Sequence, residues 1–213
     1  MMKSQPLVSV RIPAYNHEKY MKKCLQSILD QTYQNFEIVI VDDCSSDGTV
    51  DVIRQFSDPR IKLAVHARNE GMNVTVEHIM RLCSGKYVAN ISSDDFWAPT
   101  KLEKQVEFLE RNPFYDAVFT RVQPVGENGK RVGPLYSRLF SVFGCANRPQ
   151  HEWLHFFFFS GNCLCNPSVM IKKDVYEAFG YQDKRMFSSS DFDLWVKFSF
   201  QHRFYILEDK LTS

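Results

Sequence analysis

The chain has 213 residues, 44% of them hydrophobic and 14% aromatic, enough to close a full core in one large domain or a compact pair. Its formal charge of +1 gives no electrostatic footprint for nucleic acid, and no apolar run reaches the length that crosses a bilayer. The N-terminus carries no signal-peptide pattern, and the six cysteines (24, 44, 83, 145, 163 and 165) form neither CxxC pairs nor zinc-type spacings, so reduced thiols in a cytoplasmic protein are expected, chiefly as small core side chains.

Residues 7–12 read as a strand stopped by Pro13, and Met21, Cys24, Leu25, Ile28 and Leu29 then recur at helical spacing. A second strand covers 36–41. Val50, Ile53 and Phe56 mark a short helix that ends at Asp58-Pro59. A third strand covers 61–65, followed by a helix with Val74, Ile79 and Leu82 on its apolar side, closing at Gly85. The fourth strand is 87–91. Thr100-Lys101-Leu102-Glu103 reads as a capping box opening a helix with Leu102, Val106 and Leu109 inward, until Asn112-Pro113 stops it. A fifth strand covers 117–120. This alternation implies an α/β fold with a mostly parallel central sheet flanked by helices, and such sheets bind ligands beyond the carboxyl ends of their strands.

Residues 126–149 are rich in Gly, Pro, Asn and Arg and form a long excursion, a kind of segment more often functional than inert. Regular structure returns at 168–171, then a helix around 175–179 ended by Gly180. A last helix begins at Ser190-Asp191 with Leu194, Trp195 and Phe198 inward, and 204–207 is the final strand. The chain stops at Leu211-Thr212-Ser213 without a terminating motif, so a longer natural protein is expected.

Two acidic pairs stand at strand ends: Asp42-Asp43 after an apolar run, and Asp94-Asp95 fifty residues later. Adjacent carboxylates repel one another unless a cation or a hydrogen-bonding ligand lies between them; the plain alternative is that Asp94 or Asp95 caps a turn. Asp47 and Thr49 suit the cap of the following helix. Asp191 opens a helix, where it is either a general base or an N-cap. Asp193, two residues on, points about 200° away around the helix and cannot serve the same site equally. His151-Glu152-Trp153-Leu154-His155 matches the HExxH pattern of zinc hydrolases, but no spaced third ligand follows it. The run 156–159 of phenylalanines reads as a short aromatic helix ending in a turn, with core, acceptor contact or a membrane surface open as its role.

The segments Ser9-Val10-Arg11-Ile12-Pro13-Ala14-Tyr15-Asn16, Val41-Asp42-Asp43-Cys44-Ser45-Ser46-Asp47-Gly48-Thr49, Asn69-Glu70-Gly71 and Asp94-Asp95-Phe96-Trp97-Ala98-Pro99, then 101–109 and Ser190-Asp191-Phe192-Asp193-Leu194-Trp195, follow in order at the expected separations. Together they resemble the signatures of family 2 glycosyltransferases, which have the GT-A fold. The resemblance implies inverting transfer of a sugar from a nucleotide diphosphate, most commonly UDP, to an acceptor hydroxyl of a glycan or lipid-linked acceptor, in cell-surface polysaccharide or glycoconjugate synthesis. It implies a Mn²⁺ or Mg²⁺ cofactor held by Asp95, with Asp94 toward the ribose or assisting the metal. Pro13, Ala14, Tyr15, Asn16, Asn69 and Gly71 would surround the donor, Tyr15 lying against the base and Asp43 accepting a hydrogen bond from it. Asp191 would be the catalytic base. Trp97 and Trp195 are candidates for the acceptor side, packing under the next helix being the alternative for Trp97. Residues 1–121 would form the donor half and 122–213 the acceptor half of a single domain, at the cytoplasmic side, with peripheral membrane association open. Two positions depart from the family pattern: Val76 stands where many members carry Arg, and Ser190 where many carry Glu. They leave a non-catalytic nucleotide- or glycan-binding module as the second reading.

Overall fold

The computed structural model describes residues 5–126, 130–133, 140–179 and 190–213, so the helix end expected at Gly180 lies outside the described residues. Its centre is a seven-stranded sheet of β1 (Val8–Ala14), β2 (Phe36–Asp42), β3 (Ile61–Val65), β4 (Tyr87–Asn90), β5 (Ala117–Val122), β6 (Met170–Lys172) and β7 (Phe204–Thr212). The spatial order is β3-β2-β1-β4-β6-β5-β7. β6 runs antiparallel to β4 and β5, and the other pairings are parallel. Strands from both sequence halves share this one sheet.

Helices α1 (Glu18–Leu29), α2 (Thr49–Arg54) and α4 (Lys101–Arg111) cover one face; α3 (Met72–Leu82), α5 (Gln150–Ser160), α6 (Lys173–Phe179) and α7 (Ser190–Gln201) are on the other. The sheet is buried on both sides because its strands are apolar at consecutive positions, as parallel strands covered by helices must be. In β2, Ile38 and Ile40 point into the core shared with Met21, Leu25 and Ile28 of α1 and Leu102 of α4. Val39 and Val41 point the opposite way, into the core shared with Val76 and Ile79 of α3, Trp153 of α5 and Trp195 of α7, following the two-residue period of a strand. A fully buried side chain of this size contributes roughly 1.5–3 kcal/mol.

Polar groups fix where the helices begin. Asp47 accepts from the Glu18 backbone N–H at 3.1 Å and from the Thr49 N–H at 3.0 Å, so one carboxylate satisfies the first turns of both α1 and α2. The capping box expected at α4 does not form. Thr100 makes no side-chain cap bond; Gln31 Oε1 accepts from the Leu102 N–H at 3.0 Å, and Glu103 accepts instead from the Thr32 hydroxyl at 2.8 Å. The long-range partner satisfies one of the orphan N–H donors of the first turn, at Leu102. Among the described residues, no helix is long and apolar enough to cross a membrane.

Candidate active site

From β1 the chain builds β2 and β3 on one side and then crosses to β4 on the other. The strand order therefore reverses between the carboxyl ends of β1 and β4, where an α/β sheet opens a crevice for ligands. A cavity of 370 Å³ lies there. Pro13, Ala14 and Tyr15 leave β1 into it, Asp43 leaves β2, Asn69, Gly71 and Met72 lead into α3, and Ser92, Ser93 and Asp94 follow β4. Tyr15 is 45% exposed, so its ring stands at the lip, free to stack on a planar ligand rather than fill the core.

Asp43 is buried and holds the floor. Its Oδ1 accepts from the Glu70 N–H and from His66 Nδ1, and its Oδ2 from the Gly71 N–H, each at 2.8 Å. Burial alone pushes its carboxyl up, but the bonds from Glu70, His66 and Gly71 outweigh it and hold the group below the usual carboxylate range. Gly71 adopts φ +86°, a left-handed conformation in which a Cβ is strained, and this turn aims its N–H at Asp43. His66 Nε2 is in turn 2.9 Å from His78 Nδ1, the two rings stacked at 5.2 Å. Asp42, by contrast, is fully buried and occupied by the Ser45 backbone and hydroxyl.

Three residues expected to touch ligands are placed elsewhere. Asn16 is not part of the cavity lining; at φ 52° its Oδ1 accepts from the Ser46 N–H at 2.8 Å, stapling the β1 loop to the β2 loop. Trp97 is 4% exposed, its ring 4.0 Å beneath the buried Lys101 Nζ, so it packs under α4. Trp195 is fully buried, edge-on to Phe119 at 4.9 Å. Both indoles are buried, and neither lines a cavity that borders Asp43, Asp94, Asp95 or Asp191.

Asp94 is exposed beside the first cavity, and it also borders a second, of 480 Å³, together with Asp95, Lys19, Lys23, Phe140 and Phe143. Asp94 thus borders both open volumes, and Asp95 the second. Asp95 is half-buried, with its backbone N–H on the Ser92 carbonyl at 3.0 Å. Burial, reinforced by the Asp94 charge, pushes its carboxyl up to about 7. That is the state of a carboxylate whose charge the protein does not compensate, and a hard divalent cation fits it. Mg²⁺ and Mn²⁺ are held by one or two carboxylates and completed by phosphate oxygens and water, and Asp95 with Asp94 beside it places such carboxylates on the cavity wall; among the described residues there is no cluster of three His, Cys, Asp or Glu.

A third cavity, of 180 Å³, shares Pro13, Met72 and Ser92 with the first and is lined beyond them by Asn90, Asn166 and Asp191. Asp191 Oδ1 accepts from the Phe192 N–H at 2.9 Å and its Oδ2 lies 3.4 Å from the Asn162 amide. Asp193 is drawn away to Lys197 at 2.5 Å. The Cys165 thiol is pushed up to about 12, by burial first and by the Asp95 charge next.

Several supporting residues are invisible to motif reading. Arg11, 3% exposed, donates to Asn90 Oδ1 at 2.9 Å, and Asn90 donates to Asn166 at 3.0 Å, linking the sheet centre to the Asp191 cavity. An arginine inside the apolar run of β1 was the one signal in the sequence. Val76 is 1% exposed in the core and makes no approach to the cleft. His151 and His155 both sit exposed on α5, with no third metal ligand beside them among the described residues. Of the four phenylalanines that follow, Phe157 is core, while Phe158 and Phe159 are 83% and 71% exposed.

Sheet order, switch-point cleft and acidic pair define a GT-A protein. In agreement, the structure of Staphylococcus aureus TarS residues 1–349 in complex with UDP superimposes with a TM-score of 0.76 at 21% identity, covering 96% of this chain and 59% of that one. The chain belongs to glycosyl transferase family 2, whose model matches residues 9–176. The putative glycosyltransferase EpsE of Bacillus subtilis is 32% identical over 202 residues, 92% of this chain and 68% of EpsE. The Escherichia coli UDP-Glc:alpha-D-GlcNAc-diphosphoundecaprenol beta-1,3-glucosyltransferase WfgD is 38% identical over 106 residues, 50% of this chain and 42% of WfgD.

Proposed function

We propose that this family 2 glycosyltransferase is metal-dependent and inverting, and that it moves a sugar from a UDP-sugar to an acceptor hydroxyl in the synthesis of a cell-surface polysaccharide or glycoconjugate. The observation that carries this reading is Asp94 on the wall of both the switch-point cavity and the 480 Å³ cavity, with Asp95 beside it on the latter and Asp191 on a third cavity that shares Pro13, Met72 and Ser92 with the first. UDP as the nucleotide is supported by the TarS complex and by the donor named for WfgD. The diphosphoundecaprenol acceptor named for WfgD supports a lipid-linked acceptor.

In this mechanism Tyr15 stacks on the base at the lip, and Asp43, on the cavity wall, accepts a hydrogen bond from the base while it holds the Glu70–Gly71 turn, so that the pocket exists before the nucleotide arrives. Asp95 would hold the divalent cation, with Asp94 beside it toward the ribose. The cation, when bound, neutralises the charge that develops on the departing diphosphate. Asp191, steadied by the Asn162 amide, takes the proton from the acceptor hydroxyl as that oxygen attacks the face opposite the leaving group. Residues 1–121 provide the donor side of the site and 122–213 the acceptor side, at the cytoplasmic face of the membrane.

Calorimetric titration of UDP with and without Mn²⁺ tests the donor half of this reading. Binding that requires Mn²⁺ in the wild type and weakens at least tenfold in Asp95→Ala supports it. Equal affinity with and without metal, or no effect of the substitution, contradicts it.

A further inference from the structure

Cys145 Sγ lies 2.7 Å from Cys163 Sγ, both being free thiols. The two cysteines join parts of the molecule that border the acidic pair. Cys145 follows the short 3-10 turn Phe140–Gly144, whose Phe140 and Phe143 line the 480 Å³ cavity. Arg121 anchors the end of that turn by donating to the carbonyls of Phe143, at 3.3 Å, and Cys145. Cys163 follows Asn162, the partner of Asp191, and lies two residues before Cys165 in the cavity wall.

We propose that Cys145 and Cys163 are an oxidisable dithiol, a modification site at which a hydroperoxide closes a disulfide that pins the Phe140–Gly144 wall to the Asn162 loop. The two thiols are chemically unequal, as a reactive and a resolving cysteine must be. Cys145 is half-buried, and its thiol is held below the usual range by the hydrogen bond with Cys163, against burial, and by the Arg148 and Arg121 charges. Cys163 is 2% exposed and kept protonated by that same bond and by burial. Cys145 is therefore the point of attack and Cys163 is shielded until it reacts.

The Cys145 thiolate attacks one oxygen of the hydroperoxide, the O–O bond breaks, and the alcohol (water, for hydrogen peroxide) leaves after taking a proton, giving Cys145–SOH. The Cys163 sulfur then attacks Cys145 Sγ, its proton joins the departing hydroxide, and water leaves. The two sulfurs together lose the two electrons that reduce the peroxide. Little movement is needed, since a disulfide brings the sulfurs to about 2.05 Å. Cys165, with its thiol pushed up to about 12, and the buried Cys24 and Cys83 stay thiols under the same treatment.

The test is mild treatment of the folded chain with hydrogen peroxide, alkylation of remaining thiols, and peptide mapping. The expected result is a mass loss of two hydrogens, a Cys145–Cys163 cross-linked peptide, and a melting temperature raised by about 5–10 °C that dithiothreitol reverses. Cys145→Ser should show neither change. Oxidation of Cys145 to a sulfinic acid with Cys163 still open to alkylation, or cross-links to other cysteines instead, overturns the site. The consequence for catalysis rests on the proposed transferase reading: oxidised wild type should transfer at least threefold more slowly at unchanged UDP affinity, and an unchanged rate overturns the regulatory role. Mapping and melting need no turnover, so they separate failure of the dithiol from failure of the transferase reading.

Discussion

Replacing Asp43 with Asn changes one oxygen to an amide nitrogen at nearly constant volume. The wild-type carboxylate accepts three bonds at 2.8 Å, from Glu70 N–H, Gly71 N–H and His66. In the variant one side of the amide must set an N–H against a backbone N–H, either at Gly71 or at Glu70, leaving at least one buried donor without a partner. The bonds that survive are to a neutral acceptor. Bonds to charged groups contribute about 1.5–3 kcal/mol and neutral ones about 0.5–1.5 kcal/mol, so the expected loss is about 2–3 kcal/mol at pH 7. For a domain of this size that is roughly 5–10 °C in Tm. Urea denaturation followed by tryptophan fluorescence measures it. The loss has a pH signature as well. Because the folded carboxyl is held below its unfolded value near about 3.9, its stabilisation is fully present above that value and disappears as pH falls through the folded one. The gap between wild type and Asp43→Asn should therefore be full at pH 7 and shrink as the pH is lowered below about 4. A gap under about 0.5 kcal/mol at pH 7, or one that does not change with acid, refutes the assignment of Asp43 as the anchor of the Glu70–Gly71 turn.

Trp195→Ala should cost about 3–5 kcal/mol by urea denaturation, because the ring is fully enclosed, whereas Phe158→Ser, at an 83% exposed position, should stay within about 0.5 kcal/mol. A mild Trp195→Ala would return that indole to the acceptor side. Gly71→Ala meets no neighbouring atom but must hold φ +86° with ψ 159°, so it should lose roughly 1–3 kcal/mol through backbone strain alone and weaken UDP binding with it, as calorimetry would register. His151→Ala with His155→Ala should leave both donor turnover and metal content unchanged; loss of stoichiometric zinc by elemental analysis would revive the hydrolase alternative.

The parts of the site that end secondary structure were legible. Asp43 and Asp94 follow the apolar runs of β2 and β4, and the helix–strand alternation places those strand ends at the same edge of a parallel sheet; Pro13, expected to stop β1, lies within it and pairs with Val41. What was not legible depends on partners far away in sequence. The spacing of Thr100 and Glu103 met the rule for a capping box, yet Gln31, 71 positions away, supplies the bond. Trp97 and Trp195 adjoin ligand motifs in sequence, and whether an indole faces a cleft or a core is decided by the helix packed over it. The three residues of β6 are too few to reveal that this strand runs against its neighbours. The chains Asp43–His66–His78 and Arg11–Asn90–Asn166 leave no local period at all, since each link spans 12 or more positions. Fold follows from patterns that repeat along the chain; the support of a site follows from single contacts across it.

Transfer with inversion is most directly tested by following turnover of a panel of UDP-α-sugars with Mn²⁺ by proton NMR, in wild type and Asp191→Asn, with UDP affinity measured alongside. The expected result is initial release of the β anomer by the wild type, and a rate about 10²–10⁴-fold lower in Asp191→Asn at unchanged UDP affinity. Initial release of the α anomer, or full activity in Asp191→Asn, contradicts an inverting transfer with Asp191 as its base.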